Sequence, residues 1–353
     1  MYGSAPCKRI GLLVNSIVGA GIQLSYRTLF ETFLEMGHDV YLFVLHETGT
    51  EAVSNPERLV FLEGASLRQK EQALRSRISA LQEEQEFDLF ITAAEYMTPH
   101  IPVPNLYTSV HVTWSHKLGK SPWKRMINRR KRYRRYTGKN VVAISRGIAD
   151  DLVNVIKAKP KSLQVIYDPY DIRQIRKQAE ERVDIEATKY ILGLGSLIPV
   201  KRFDILIRAF AHLEDEQLKL VIAGEGELHE ELAALSRSLG IEERVIFCGF
   251  QPNPYPLIRN ARLLALSSDS EGLPRVLVES LILKTPIVST ACADGVNELM
   301  GERFHEFIVP KNDPKQLAET IQQALHAFPP IDEHTCVPFD NRKVARQFLG
   351  LAD

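Results

Sequence analysis

Thirteen short runs of aliphatic and aromatic residues, separated by segments with helical spacing, recur along the 353-residue chain and limit its fold more than any other feature. In the first half they are Arg9–Val14, Asp39–Leu45, Arg58–Leu62, Asp88–Thr92, Asn105–Val110, Asn140–Ser145 and Leu163–Tyr167. In the second half they are Tyr190–Gly195, Leu218–Gly224, Arg244–Gly249, Arg262–Ser267, Pro286–Thr290 and Glu306–Val309. Strands that alternate with helices need crossover connections, and crossovers give parallel sheets. A chain this long exceeds a typical single core, so two Rossmann-like α/β domains are expected. Asp168-Pro-Tyr-Asp171 opens a charged, apolar-poor stretch that runs to Lys189, which places the domain boundary near residue 170. The expected domains are 1–169 and 170–337. Residues 338–353 contain a helical pattern, Asn341 to Leu351, that is a candidate to pack back on the first domain.

The balance of 44 basic and 44 acidic side chains implies no whole-molecule attraction to nucleic acid or membrane, so any such attraction must be local. Cys7, Cys248, Cys292 and Cys336 are widely spaced, without a Cys-x-x-Cys or structural-zinc pattern, and read as the reduced thiols of a cytoplasmic protein. No apolar run approaches the roughly 20 residues needed to span a bilayer, and the N-terminus lacks the apolar core of a signal peptide. One local excess stands out: residues 117–139 hold eleven Lys or Arg and no acid. Trp123, Met126, Ile127 and Tyr133 give that segment an apolar side among Lys124, Arg125, Arg129 and Arg130. Contact with an anionic membrane surface or a phosphorylated acceptor, nucleic-acid binding and a solvated helix face are all compatible with it. The first is favoured, and nucleic acid is not expected as a partner.

In open parallel sheets ligands bind where strands end, so the loops after strands carry the candidate site. Asn15 to Gln23 contains Gly19 and Gly21 ahead of a helix from about Ile22, a setting for a phosphate or an acceptor hydroxyl, or an ordinary turn. Neither this loop nor Gly193-Leu-Gly195 completes the Gly-x-Gly-x-x-Gly pattern of a dinucleotide site. Lys201 and Arg202 precede an amphipathic helix whose apolar face is Phe203, Leu206, Ile207 and Phe210. A cation at a helix N-terminus opposes the dipole unless an anion lies between them, which favours phosphate binding at Lys201. Gly224-Glu-Gly-Glu227 reads as a plain turn. Ser267 to Ser280 sets Glu271 in a strand-end loop and Glu279 in the following helix. Gly272, Leu273 and Pro274 lie between them, where free N–H groups suit an anion.

Taken together, Gly195-Ser-Leu followed by Lys201, Ala223-Gly-Glu-Gly226, Val245 to Phe250, and Ser268-Asp-Ser-Glu-Gly-Leu-Pro followed by Glu279 resemble the donor-domain motifs of retaining glycosyltransferases. These are the family 4 type with the GT-B fold, two Rossmann-like domains facing across a cleft, and the resemblance is to the type that builds bacterial cell-envelope polysaccharide or lipopolysaccharide. The resemblance extends to Gly37-His-Asp-Val40 and Val142 to Gly147. It implies that Glu271 lies near the hydroxyls of the transferred sugar, that Glu279 binds the ribose and that Lys201 binds phosphate. Ser196, Arg202, Gly224 and Phe250 complete the donor-site candidates. It also implies an N-domain histidine near the sugar, for which His111 and His116 are the candidates; His111 directly follows an apolar run. Two positions depart from the family pattern: Ser196 stands where Arg is usual, and Gln23 where Glu is frequent.

The expected activity is retaining transfer of a hexose or N-acetylhexosamine from a nucleotide sugar, on family frequency UDP-linked, to a hydroxyl of a lipid-linked or cell-envelope glycan. The chain has no Asp-x-Asp, so neither a metal nor a cofactor beyond the donor co-substrate is expected. A sugar phosphorylase or nucleotide-sugar epimerase on the same fold, and a non-catalytic nucleotide-sugar-binding module, are the competing readings. Ala143-Ile-Ser-Arg-Gly147 lacks the first glycine of a nucleophile elbow, which disfavours a hydrolase.

Overall fold

The computed structural model describes residues 6–19, 21–46, 53–119, 121–182, 185 and 189–353, without the side chain of His116. The chain forms two compact units, Met1–Asp171 with Pro338–Asp353, and Ile172–Val337. In the first, β1 (Arg9–Val14), β2 (Asp39–Val44), β3 (Leu59–Phe61), β4 (Leu89–Thr92), β5 (Leu106–Val110), β6 (Asn140–Ala143) and β7 (Ser162–Val165) make one sheet. Their order is β3-β2-β1-β4-β5-β6-β7, and every pairing is parallel. In the second, β8 (Tyr190–Leu194), β9 (Lys219–Ala223), β10 (Val245–Gly249), β11 (Leu263–Leu266), β12 (Ile287–Thr290) and β13 (Ile308–Val309) follow the order β10-β9-β8-β11-β12-β13, also all parallel. In both sheets the order reverses beside the first strand of the unit, so the loops leaving the central strands diverge there and open a crevice.

Parallel strands covered on both faces must be apolar on both, and β1 is buried at all six positions. Ile10, Leu12 and Val14 join one core cluster with Phe30 and Phe33, whereas Leu13 joins another with Phe43, Leu74 and Phe90. Gly11 leaves room for the Phe90 ring: a Cβ there would lie 2.2 Å from the ring's Cδ2. Overpacking of this kind costs about 1–3 kcal/mol. The C-terminal helix Asn341–Leu349 closes the same unit. Val344, Ala345 and Phe348 enter the first cluster, and Asn341 Nδ2 donates to Thr32 Oγ1 at 3.0 Å.

Helix starts follow side-chain chemistry. Ser66 and Gln69 form a capping box for Leu67–Gln82, and Ser121 caps Pro122–Tyr136 with proline in its first turn. Two strand ends differ from the sequence expectation for local reasons. β6 stops at Ala143 because Ser145 turns out to accept from Ile148 N and cap the helix Arg146–Asp150. β13 keeps only two residues because His305–Phe307 wind into a 3₁₀ turn instead of extending.

Candidate functional site

The donor-site candidates gather where the strands of the second sheet end. After β8 the chain makes a 3₁₀ turn, Pro199–Lys201, passes through Arg202 in the left-handed region (φ 50°) and enters the helix Phe203–Phe210. After β11 it reaches Glu271 and then the helix Arg275–Leu283, with Pro274 at the cap position just outside the first turn expected for it. Two backbone-linked contacts tie these loops together: Asp269 N donates to Val200 O at 2.8 Å, and Ser267 Oγ donates to Lys201 O at 3.0 Å. Lys201 Nζ therefore meets Glu271 Oε1 at 2.6 Å, and Ser268 Oγ donates to the same oxygen at 2.7 Å. The lysine side chain is 24% exposed and the glutamate 14%, so the pair is shielded yet reachable. A cation, a carboxylate and the free N–H groups of a helix start thus share one rim, which suits a phosphate beside a hydroxylated ring.

Glycine packing sets the rim's shape. Gly224 has φ +142°, and a Cβ on it would sit 2.0 Å from Gly195 O; one on Gly226 would sit 2.4 Å from Leu197 O. The loops after β8 and β9 therefore lie backbone to backbone, joined by Leu197 N donating to Glu225 O at 2.8 Å. Gly224, a plain turn by its spacing and a donor-site candidate by the resemblance, is fixed by this close approach. Gly295 plays the same part beneath Gly272, whose carbonyl would be 2.6 Å from a Cβ at 295. Ser196 is exposed on this rim, and Phe250 is 62% exposed after β10, its N–H donating to Glu225 Oε1 at 3.4 Å.

Glu279 lies deeper, 6% exposed. Burial pushes its carboxyl above the usual range, and Arg275, with Nη2 3.5 Å from Oε1, pulls it back down. Cys292, buried behind Glu271, has a thiol pushed up to about 12 by burial and by the Glu271 charge. The Arg202 guanidinium is committed: Nε and Nη2 donate to Asp204 at 3.0 and 3.1 Å, and Nη1 donates to Asp269 at 3.2 Å and to Asn312. It braces three loops. Ser268, Arg275 and Gly295 were not among the sequence candidates. The four-residue spacing of Arg275 and Glu279 was the available signal for one of them; the other two are set by contacts between loops.

In the first unit, His111 directly follows β5, with its side chain 6% exposed. Nε2 is 2.7 Å from Ser109 Oγ, and Nδ1 is 3.4 Å from Asp168 Oδ1. The ring packs near Tyr26, whose hydroxyl burial holds well above its ordinary value. His111 is thus oriented through Nε2 by Ser109, while its buried Nδ1 faces Asp168 without a hydrogen bond. His116 falls in the turn Ser115–Lys117, and its side chain lies outside the described residues. Gly19, in the loop after β1, has φ +131°, and Gly21 caps the helix Ile22–Glu35.

The basic segment forms the helix Pro122–Tyr136. Arg132 and Arg135 turn inward onto Glu95, at 3.5 and 3.1 Å, and Arg132 stacks 3.4 Å above the Trp114 ring, whose Nε1 donates to Tyr136. Trp123, Lys124, Arg125, Arg129 and Arg130 are exposed. Among the described residues no three His, Cys, Asp or Glu side chains cluster to hold a metal, and no helix is long and apolar enough to cross a membrane.

Two parallel-sheet Rossmann-like units with a Lys–Glu pair at the strand ends of the second define the GT-B class. The family model for glycosyl transferases group 1 matches residues 174–330, and the model for glycosyltransferase family 4 matches residues 19–174. The chain belongs to this glycosyltransferase family. A Campylobacter jejuni relative, the N-acetylgalactosamine-N,N'-diacetylbacillosaminyl-diphospho-undecaprenol 4-alpha-N-acetylgalactosaminyltransferase, is 33% identical over 58% of this chain and 57% of its own. The aligned stretch thus takes in little more than half of that relative. A solved glycosyltransferase from Rickettsia africae superposes with a TM-score of 0.77 at 15% identity, covering 99% of this chain and 98% of that one. Anabaena HepE, solved in complex with UDP and glucose, gives 0.75 at 19% identity over 97% and 98%. These likenesses establish the GT-B fold.

Proposed function

We propose that the protein is a metal-independent, retaining glycosyltransferase that moves a hexose or N-acetylhexosamine from a UDP-sugar to a hydroxyl of a lipid-linked glycan. The observation that carries this reading is the Lys201–Glu271 pair at the start of the helix Arg275–Leu283. In the reaction the bond from sugar C1 to the diphosphate oxygen breaks, and its electron pair leaves with UDP. The acceptor oxygen bonds to C1 on the same face, and its proton passes to the departing phosphate oxygen. Lys201 and the N–H groups near Gly272 and Leu273 stabilise the charge that builds on the diphosphate. Glu271 orients the sugar hydroxyls, and Glu279 accepts from the ribose. His111, held by Ser109 and lying beside Asp168, is assigned to the sugar-facing part of the first unit.

UDP as the nucleotide draws support from the ligand in the HepE structure, and a lipid-diphosphate acceptor from the name of the Campylobacter relative. The missing Asp-x-Asp supports independence from metal. The exposed basic helix supports work at an anionic membrane surface, on its cytoplasmic face. Lys201→Ala and Glu271→Gln test the assignment. Each is expected to abolish most UDP-sugar turnover while far-UV circular dichroism stays that of the wild type; wild-type turnover in either variant would overturn it.

A further inference from the structure

Arg202 stands where a chain holds an arginine least easily. Its φ is 50°, in the left-handed region, between the 3₁₀ turn Pro199–Lys201 and the helix Phe203–Phe210. A side chain there crowds its own backbone, and such a residue persists only where its surroundings fix it. Among the described residues the non-glycine positions with positive φ are Lys157, Arg202, Lys284 and Asn312. Two of these are bonded to each other, Arg202 Nη1 donating to Asn312 Oδ1, although they lie in different loops, after β8 and after β13. Lys311 ties the loop after β13 to the loop after β11 as well, its Nζ donating to Asp269 O at 3.2 Å. Three strand-end loops thus converge on the side chain that directly follows Lys201, and one of its partners, Asp269, lies two positions before Glu271.

Two simpler roles fit this arrangement poorly. As a phosphate ligand, the guanidinium would have to leave Asp204, Asp269 and Asn312, and the phosphate would then lie beside two carboxylates that repel it. As a source of stability, the ion pairs are weak, because Asp204 and Asp269 are each 38% exposed and solvent screens such pairs. A strained backbone held by weak pairs gains little for the fold. It does fix an angle: a planar fork that grips two carboxylates and an amide oxygen allows one relative placement of the loops that carry them.

We propose that Arg202 is a positioning residue of the donor site: its guanidinium sets the loop of Lys201 against the loop of Glu271 and does not touch the donor phosphates. The assignment rests on the reading of Lys201 and Glu271 as the donor pair given above. Those two side chains meet at 2.6 Å only while their loops keep this placement. Without the fork the loops stay joined by the bond from Asp269 N to Val200 O and turn about it. The ammonium and the carboxylate then no longer face the diphosphate and the sugar together, which slows transfer more than it weakens nucleotide binding.

The test uses the full-length protein with Arg202→Gln, Arg202→Lys, Arg202→Gly, Asp269→Asn and the double variant Arg202→Gln with Asp269→Asn. Three quantities are read: UDP affinity by titration calorimetry, kcat and KM for a UDP-sugar, and hydrogen exchange of the Asp269 amide. In Arg202→Gln the exchange should speed up about tenfold or more, because the bond to Val200 O opens more often. There kcat should fall about tenfold while the UDP Kd stays close to that of the wild type. Arg202→Lys keeps the charge without the fork and should match Arg202→Gln. Asp269→Asn should lose as much kcat as Arg202→Gln, and the double variant no more than either. Arg202→Gly relieves the left-handed backbone, so it should melt no lower than Arg202→Gln yet transfer as slowly, which separates positioning from folding. UDP binding lost in Arg202→Gln as in Lys201→Ala but kept in Arg202→Lys would make Arg202 a phosphate cation and overturn the proposal. Additive losses in the double variant, or full kcat in Arg202→Gly, would overturn it too. A wild type that transfers no sugar would remove the transferase reading instead. The exchange would still judge the brace, which fails if Arg202→Gln leaves the Asp269 amide unchanged and stands if that amide exchanges faster.

Discussion

Replacing Glu271 with Gln should tighten the binding of UDP alone while crippling use of the UDP-sugar. In the resting protein Lys201 is engaged by Glu271 at 2.6 Å, in a setting where the two side chains are only 24% and 14% exposed. An incoming diphosphate must therefore compete with a carboxylate for that ammonium, and the carboxylate also repels the phosphate. Glutamine keeps the shape and can still accept from Ser268, but it turns a charge-assisted hydrogen bond into a neutral one. Charge-assisted bonds exceed neutral ones by about 1 kcal/mol, which corresponds to about a fivefold lower Kd for UDP in the variant. Lys201→Ala removes the cation itself and should raise the UDP Kd about 10- to 100-fold, the loss of one charged contact of about 1.5–3 kcal/mol. Isothermal titration of UDP and of the UDP-sugar into both variants reads the contrast, since only the sugar-bearing ligand should suffer from Glu271→Gln. If Glu271→Gln weakens UDP alone as much as Lys201→Ala does, Glu271 is part of the nucleotide contact and the competition argument is wrong.

The buried Glu279 gives a pH test: because burial raises its folded-state value, the stability it contributes is complete below the unfolded value near 4.5 and falls as pH rises through the raised one. Glu279→Gln should therefore compare best with the wild type in thermal melts at neutral pH and worst near about pH 4; a difference that does not move with pH would contradict this. Arg275→Met strands the carboxylate without its cation and should cost about 3 kcal/mol in urea unfolding at neutral pH, less if Glu279 takes up a proton. Cys292, buried and with its thiol at about 12, should resist iodoacetamide in the native protein while exposed Cys7 reacts, as mass spectrometry of the labelled peptides would show. Gly224→Ala forces a side chain into the Gly195 carbonyl at a positive φ and should lower the melting temperature and UDP binding together. An unchanged melt would mean that the two loops separate easily.

The alternation of apolar runs and helical spacing made the fold legible, because strands buried on both faces must be apolar throughout and only crossover helices can join them in parallel. The helix Arg275–Leu283 and the loop carrying Glu271 were equally legible, from strand, glycine-proline turn and apolar periodicity. What the sequence could not display were contacts between distant loops. Arg202 reads as a helper to Lys201, and nothing in the spacing displays its bonds to Asp204, Asp269 and Asn312. Gly224 reads as a plain turn until Gly195 is found against its Cα. The eleven-cation segment reads as one charged stretch, yet Glu95, more than 35 residues away in sequence, turns two of its arginines into structural groups. His111 could be placed after its strand, but its enclosure by Ser109, Tyr26 and Asp168 comes from three elements that only folding assembles.

The central claim is that Lys201 and Glu271 form the donor site of a sugar transfer, and the rate of sugar transfer from a UDP-sugar to an isoprenoid-diphosphate-linked glycan tests it most directly. The wild type should transfer without added metal. Glu271→Gln should lower kcat/KM about 100-fold, close to 3 kcal/mol of lost transition-state stabilisation, while binding UDP at least as well as the wild type. Full kcat/KM in the Glu271→Gln enzyme, or transfer that survives Lys201→Ala undiminished, would contradict the account.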